Sequence, residues 1–182
     1  TFDDPITPDD ARIARTRLDK KIGPDRWRLQ CYGNSTTSVL DIHSVLEDWK
    51  RDGWAADVVV VDYADILRAV DGREDYRHQV NTSWKALRAL SQVHHCLVVT
   101  ATQTDAAAYE AWLLTRKNFS EDKRKYAHVN GMVGINQQDQ EKKDGIYRLN
   151  WVLSRDLTFG EDQFVICAGN LGYAHPSMLS TF

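Results

Sequence analysis

The stretch ADVVVVDYADIL (Ala56–Leu67) contains four consecutive valines, Val58 to Val61, followed directly by Asp62 and Tyr63. A run without polar residues predicts a strand that is buried on both faces, as in a parallel sheet covered by helices. In open α/β sheets, ligands bind at the carboxyl ends of the strands. We therefore expect the valine strand to hold the Asp62 carboxylate at a ligand-binding edge, where it can contact a metal ion.

A second apolar run, CLVVTATQ, ends in another polar residue, Gln103. It follows an amphipathic helix, QVNTSWKALRALSQVHH, whose apolar residues recur at helical intervals. Two further helices are predicted upstream: Thr7 can cap the first, and Ser38 and Asp41 have capping-box spacing at the start of the second. This alternation predicts an α/β fold with a mostly parallel sheet flanked by helices.

The remaining segments give a less regular pattern. RWRLQCY (26–32) alternates enough to predict a strand, and three short strands are predicted in GMVGIN, IYRLNWVLSRD and QFVICAG. Residues 104–130 are difficult to interpret, with a short helix in AAAYEAWLL and then a charged stretch. The tail from Asn170 is predicted to be irregular. Because no linker or repeat interrupts the chain, residues 1–182 are interpreted as one domain.

Composition limits the classes of function. The 182 residues carry a formal net charge of −3, so any nucleic-acid binding must come from local basic patches. The three cysteines (Cys31, Cys96 and Cys167) are widely spaced, which predicts buried free thiols in a reducing compartment. The sequence shows neither a signal-peptide pattern nor an apolar run of the roughly 18 residues that span a bilayer. We expect a cytoplasmic protein with no membrane partner.

Taken together, these motifs resemble RecA-like ATPases, and most closely the motor domain of DnaB-type replicative helicases. VVVVDYADIL is similar to that family's Walker B strand, and LVVTATQ is similar to the next sheet strand, which ends in a Gln that senses the γ-phosphate. WVLSRDLTFGEDQFVI resembles the family's Lys-x-Arg strand, although Leu153 stands where the family usually has Lys. Upstream, PITPDDARIARTRLDKKIG, WRLQCY and STTSVLDIHSVLEDW resemble the segments between the Walker A region and Walker B.

The resemblance implies ATP and Mg²⁺ as cofactors and a role for three residues. Asp62 would hold a water of the Mg²⁺ ion, Gln103 would sense the γ-phosphate or orient the attacking water, and Arg155 would reach the neighbouring subunit's nucleotide. The alternative for each is an ordinary one: a turn Asp, a loop Gln and an exposed strand Arg. Alternation in IYRLNWVLSRD predicts an apolar core face with Tyr147, Leu149, Trp151 and Leu153. Arg155 would share this face, where a guanidinium needs a partner charge.

The family's phosphate-loop motif, G-x-x-x-x-G-K-[ST], does not occur in the sequence. We therefore interpret the chain as an N-terminally truncated fragment of a RecA-like ATPase domain, lying downstream of the Walker A region and inactive by itself.

In ring-shaped relatives, the loops after the Asp62 and Gln103 strands line a central channel. The expected partners are single-stranded DNA and further copies of the chain in a homo-oligomeric ring, a hexamer. A solvated loop is the alternative for each basic residue, since acidic residues are interleaved with them. The candidate nucleic-acid-binding residues are Arg68, Arg73 and Arg77 in the first loop, and Arg116, Lys117, Lys123, Arg124 and Lys125 in the second.

The resemblance implies the function of a replicative DNA helicase in a bacterial or phage-infected cell, which couples ATP hydrolysis to translocation on single-stranded DNA and to duplex unwinding. Two alternatives stay open. One is another RecA-like ATPase, such as a recombinase or a KaiC-like protein. The other is a RecA-like module without catalysis that serves in binding or assembly.

Overall fold

A computed structural model describes residues 7–69, 75–169 and 177–181. The chain divides into two compact units, Thr1–Tyr32 and Gly33–Phe182. In the first unit, helix α1 (Pro8–Ile22) begins at the predicted cap, because the Thr7 hydroxyl accepts from the amide of Asp10 while the Asp10 carboxylate accepts from the amide of Thr7. The prediction of a strand over residues 26–32 is wrong. That segment is irregular, and Leu29 is 70% exposed, so neither pairing nor burial favours a strand there.

The second unit alternates helices and strands as far as residue 100, as the sequence predicts, and its last three strands follow one another with no helix between them in the described residues. The helices and strands are connected by short 3₁₀ helices at Ala64–Ile66 and Ala106–Glu110 and by a longer one at Arg116–His128. The longer one is called the 116–128 segment below. The regular elements are α2 (Val39–Arg51), β1 (Val58–Val61), α3 (Tyr76–His94), β2 (Leu97–Thr100), β3 (Gly131–Asn136), α4 (Asp139–Asp144), β4 (Ile146–Ser154), β5 (Phe164–Ala168) and β6 (Ser177–Thr181).

Strands β1 and β2 form a parallel pair in which Val58 lies opposite Leu97 and Val61 opposite Thr100. Helices α2 and α3 pack against one face of this pair, and the core between them includes Leu46, Val61 and Leu87. The opposite face is uncovered in the described residues, so the expectation of burial on both faces is wrong here. The exposed fractions on that face are 51% for Val58, 71% for Val60, 60% for Leu97 and 44% for Val99.

The other four strands form an antiparallel sheet in the order β3-β4-β5-β6. The α/β class is confirmed, while the parallel arrangement is limited to β1 and β2 in the part of the chain that the structure describes. Short connections join the last strands, and such connections favour antiparallel pairing over a crossover. Helix α4 and strand β6 were not predicted, because DQEKKD has no apolar positions and the tail shows no clear alternation.

A β-bulge between β3 and β4 changes which side chains of β4 face the core. Val133 pairs with Trp151 and Met132 with Leu153, which leaves Val152 as the extra residue. Val152 and Leu153 are therefore both buried. Before the bulge, the buried positions are Arg148 and Asn150, so the expectation that the face with Tyr147, Leu149 and Trp151 is the buried one is wrong.

Arg148 is the most buried charged residue described, with 2% of its surface exposed. Its guanidinium forms a two-pronged ion pair with Glu141, at 2.7 and 2.8 Å, donates to the carbonyl of Trp112, and lies 3.5 Å from the centre of the Trp112 ring. The hydrogen bonds from Arg148 hold the pKa of the Glu141 carboxyl below its usual value. Burial is therefore compatible with the charge because both partners are paired.

Cys96 and Cys167 are buried free thiols as predicted, but Cys31 is exposed. None of the described helices is both long enough and apolar enough to cross a membrane.

Candidate functional site

Asp62 and Gln103 follow the carboxyl ends of the parallel strands β1 and β2. Because Val61 lies opposite Thr100, the chain leaves both strands at the same edge of the pair. Both side chains are exposed, and the Gln103 amide donates to the Tyr63 hydroxyl at 3.3 Å. No described residue forms a hydrogen bond or ion pair with the Asp62 carboxylate. An exposed carboxylate at a strand end fits the oxygen ligands that Mg²⁺ prefers.

Thr100 joins the ends of β1 and β2 through hydrogen bonds of its hydroxyl, a role that was not predicted from the sequence. Its hydroxyl donates to the carbonyl of Val61 at 2.8 Å and accepts from the amide of Ala64 at 2.9 Å. These bonds fix the backbone on both sides of Asp62. A Thr at the last position of an apolar strand is the sequence signal that could have identified it.

Asp65 forms a polar cluster directly behind this edge. Its carboxylate accepts from the Trp84 indole at 3.0 Å, from the Thr102 hydroxyl at 2.6 Å and from the Lys125 ammonium at 3.0 Å. The Lys125 ammonium also donates to the Thr102 hydroxyl at 2.8 Å. Since the Asp65 and Lys125 side chains are only 11% and 14% exposed, the pair is mostly buried. The cluster joins the loops after both strands to α3 and to the 116–128 segment.

Lys125, one of the candidate nucleic-acid-binding residues, does not extend from an open loop in this structure. Its ammonium is mostly buried and paired with Asp65. The tyrosine that follows, Tyr126, is half-buried, and burial raises the pKa of its hydroxyl to about 12. This part of the 116–128 segment is therefore packed structure, not a solvated loop.

The other predicted basic residues do not lie in two simple loops. Arg77 belongs to helix α3, because the helix already begins at Tyr76. Arg124 donates to the Arg77 carbonyl at 3.1 Å, which brings one residue of each predicted set together. Arg116 and Lys117 are exposed at the start of the 116–128 segment. Arg73 and the side chain of Lys123 lie outside the described residues.

Arg68 is engaged with the start of helix α2. Its guanidinium is 2.9 Å from the Asp41 carboxylate. Hydrogen bonds from the backbone amide and the hydroxyl of Ser38 lower the pKa of the Asp41 carboxyl to about 2, and the hydrogen bond from Arg68 makes a smaller contribution. Both charges are about half exposed, so the bridge is a surface one that contributes little.

Arg155 lies directly after β4 and is exposed, which corrects the expectation that it shares an apolar face. The strand has ended at Ser154, so its alternation no longer applies. The Arg155 guanidinium donates to three carbonyls at the end of the 116–128 segment: Val129 and Ala127 at 2.8 Å each, and Tyr126 at 3.4 Å. Backbone carbonyls thus serve as its partners within the chain.

A wide depression of about 1200 Å³ begins beside Gln103. It runs along β2 and reaches the exposed apolar side chains of Val133, Ile135 and Trp151. Asp62 does not line it, so the edge where the two strands end, and not this depression, is the candidate site.

No protein-family model and no curated protein sequence matches the chain. Solved structures do match it. One, described as an ATPase domain, superposes with a TM-score of 0.68 at 17% identity, covering 79% of this chain and 52% of that one. Another, described as a DnaB-like replicative helicase and its interactions with primase, gives 0.68 at 15% identity, covering 91% and 41%.

The chain thus spans about half of the first structure and about two fifths of the second. At these identities the likeness concerns the fold. That fold, with Asp62 and Gln103 at one edge of a parallel pair, agrees with the resemblance found in the sequence motifs. The chain has the RecA-like fold of the ATPase domain of DnaB-type replicative helicases.

Proposed function

We propose that this chain is part of an ATP-dependent DNA helicase motor that translocates on single-stranded DNA as a ring-shaped homo-oligomer, a hexamer. The observation that carries the proposal is the placement of Asp62 and Gln103 at one edge of the parallel pair within a RecA-like fold. The activity belongs to a whole protein, since the chain spans only part of its structural relatives.

Each of the three residues has a distinct task in this proposal. When bound, Mg²⁺ and ATP supply the electrophilic phosphorus and the charge neutralisation of phosphoryl transfer. Asp62 would hold the ion through a water molecule, because its carboxylate has no described partner. Gln103, oriented by Tyr63, would hydrogen-bond to the γ-phosphate or to the attacking water. Arg155 would stabilise the developing charge at a neighbouring subunit's site.

Single-stranded DNA would contact the exposed basic residues of α3 and of the 116–128 segment, which is hydrogen-bonded to the loop after β2 through the Asp105 amide and the Asn118 carbonyl. Arg116 and Lys117 are the strongest candidates because both are exposed at the start of the 116–128 segment. Arg77 and Arg124 would contribute from α3 and from the same segment.

The test is made in the full-length protein with Asp62→Asn, which keeps the shape and removes the charge. We expect ATP turnover to fall on the order of 100-fold, as when a major electrostatic contribution is lost. Asp57→Asn is the matched control, because Asp57 is exposed at the opposite end of β1. Equal turnover in both variants would assign Asp62 to an ordinary turn.

Mixing experiments test the role of Arg155 across the interface. Full-length Arg155→Ala and Asp62→Asn subunits are each inactive by the proposal, but mixed rings contain interfaces with both wild-type residues. Partial ATPase activity should return on mixing. Arg88→Ala is the control for an indirect effect through the 116–128 segment, because Arg88 donates to the His128 carbonyl and so also holds the end of that segment. Mixed rings that stay inactive would remove Arg155 from this role.

The second candidate function is a RecA-like binding or assembly module without catalysis. The 182 residues contain no G-x-x-x-x-G-K-[ST] motif, so the residues upstream of Thr1 in the full-length protein separate the two functions. A full-length protein that carries no such loop and does not hydrolyse ATP would support it. ATP hydrolysis with unwinding of duplex DNA would instead support the helicase, and homology-dependent strand exchange without unwinding would support a recombinase.

A further inference from the structure

Three side chains with metal-ligating atoms meet between helices α2 and α3. His43 and Glu47 lie four residues apart on α2, so they occupy the same face of the helix. His94 is the last residue of α3. One ligand atom from each residue lies within 4.8 Å of the other two. The closest pair is His43 Nδ1 and His94 Nε2 at 2.8 Å. The other ring nitrogen of His94, Nδ1, is 3.7 Å from the Glu47 carboxylate, so one ion can take only one of the two His94 nitrogens as its ligand.

We propose that His43, Glu47 and His94 form a binding site for a divalent transition-metal ion of the Zn²⁺ class. Two imidazole nitrogens and one carboxylate oxygen are a known three-ligand set for zinc, with water in the fourth position. Mg²⁺ and Ca²⁺ prefer sites made of oxygen alone, so the two nitrogens select against them.

The spacing suits such an ion after a small adjustment. Bonds of about 2.0–2.1 Å in a tetrahedron place ligand atoms about 3.3–3.4 Å apart. The 2.8 Å between His43 Nδ1 and His94 Nε2 is shorter than that value, and one ligand atom from each of the three residues lies within 4.8 Å of the others. Rotation of the two rings would widen the closest pair by about 0.5 Å, well within ordinary side-chain motion.

Burial places the ligands where a bound ion would be held but still reached. The His94 side chain is only 8% exposed, while Glu47 is 41% exposed. The His94 imidazole therefore lies toward the packed helices, His43 is partly buried, and the carboxylate lies toward solvent. Solvent access at Glu47 supplies both the entry path and the water ligand.

The site is separate from the proposed nucleotide site. His94 lies three residues before β2 begins, at the amino end of that strand, whereas Gln103 follows its carboxyl end. The four residues of β2 span about 13 Å. An ion here would hold the end of α3 against α2, next to the core residues Leu46 and Leu90. It would stabilise the helical layer without contacting nucleotide.

The alternative is a hydrogen bond between two histidines with a nearby carboxylate and no ion. Titration of the metal-free full chain with Zn²⁺, followed by thermal unfolding, separates the two. We expect a rise in Tm that saturates with one ion, and no rise with Mg²⁺. A Tm that is the same with Zn²⁺ and with Mg²⁺ would overturn the proposal.

Glu47→Gln tests the ligand set with little risk to folding, because the side chain is partly exposed and keeps its shape. We expect Zn²⁺ affinity to fall by at least the roughly 10-fold that loss of a supporting group alone can cost. His95→Asn is the matched control: His95 neighbours His94 but is exposed, and Asn tolerates its left-handed φ of 51°. Equal affinities of Glu47→Gln and the control would overturn the assignment.

Co²⁺ provides a readout that needs no variant. Bound at this site, it should show the visible absorption of tetrahedral Co²⁺ without thiolate charge-transfer bands in the near ultraviolet. Thiolate bands would place the ion on a cysteine, such as exposed Cys31 or the nearby Cys96, and would refute the proposed ligands.

Discussion

The ion pair of Asp65 and Lys125 offers the sharpest test of how the candidate site is supported. Lys125→Met keeps much of the length of the side chain and removes the ammonium, which lies 3.0 Å from Asp65 and 2.8 Å from the Thr102 hydroxyl. Removing one partner of a fully buried pair costs about 3–5 kcal/mol. Here both side chains keep slight exposure, and Asp65 keeps its bonds from Trp84 and Thr102. We therefore expect a loss of about 2–3 kcal/mol, in the range for hydrogen bonds to charged groups.

Urea unfolding of the full chain, followed by tryptophan fluorescence, measures this loss as a lower midpoint with an unchanged m value. Asp65→Asn should cost a similar amount. The double variant should cost less than the sum of the two by at least about 1 kcal/mol, because the second change removes an already broken pair.

Lys85→Met is the matched control, since Lys85 is exposed on α3 and should shift stability by no more than about 0.5 kcal/mol. If Lys125→Met behaves like this control, or if the two single losses simply add, Lys125 is not held by Asp65. The ammonium would then be free to contact nucleic acid, and our account of the cluster would be refuted.

Three further outcomes are expected. Calorimetric titration of the 182-residue chain with a non-hydrolysable ATP analogue and Mg²⁺ should show no binding, because the chain has no phosphate-loop motif; low-micromolar affinity would contradict this. Because Arg148 lowers the pKa of Glu141, the pair's contribution to stability is present above the ordinary pKa of 4.5 and is lost as pH falls through the lowered value. Glu141→Gln should therefore flatten the acid limb of a stability–pH curve, and an identical slope would argue against this account of the pair. Thr100→Val should lower the free energy of unfolding by about 1–3 kcal/mol, since the Val61 and Ala64 backbone groups lose a partner, whereas Thr100→Ser should have a much smaller effect in the same urea assay.

The backbone near the candidate site could be predicted from local patterns. The valine run with its terminal Asp62 and the run ending in Gln103 each carry their own strand signal, and parallel pairing brings the two ends to one edge. Capping-box residues such as Thr7 and Ser38 likewise marked where helices begin. These features depend on neighbours in the sequence, so the sequence alone suffices to predict them.

Side-chain partners were harder to predict because they depend on distant segments. Asp65 meets Lys125 across 60 residues of sequence, and no spacing rule connects them. Alternation in β4 predicted an apolar core face, yet Arg148 is the buried residue, because Glu141 and Trp112 satisfy its guanidinium. The histidine and carboxylate cluster between α2 and α3 was also missed, since His43 and His94 lie 51 residues apart.

The way Arg155 is held has a consequence for conformational entropy. An arginine side chain carries about 2 kcal/mol of rotamer entropy, which is usually lost when it binds a ligand. In this fold the Nε and Nη2 atoms already donate to the carbonyls of residues 126, 127 and 129, while Nη1 has no partner among the described residues. Much of that entropy is therefore lost during folding. An anion that meets Nη1 binds a side chain that is already ordered, and its affinity is correspondingly less reduced.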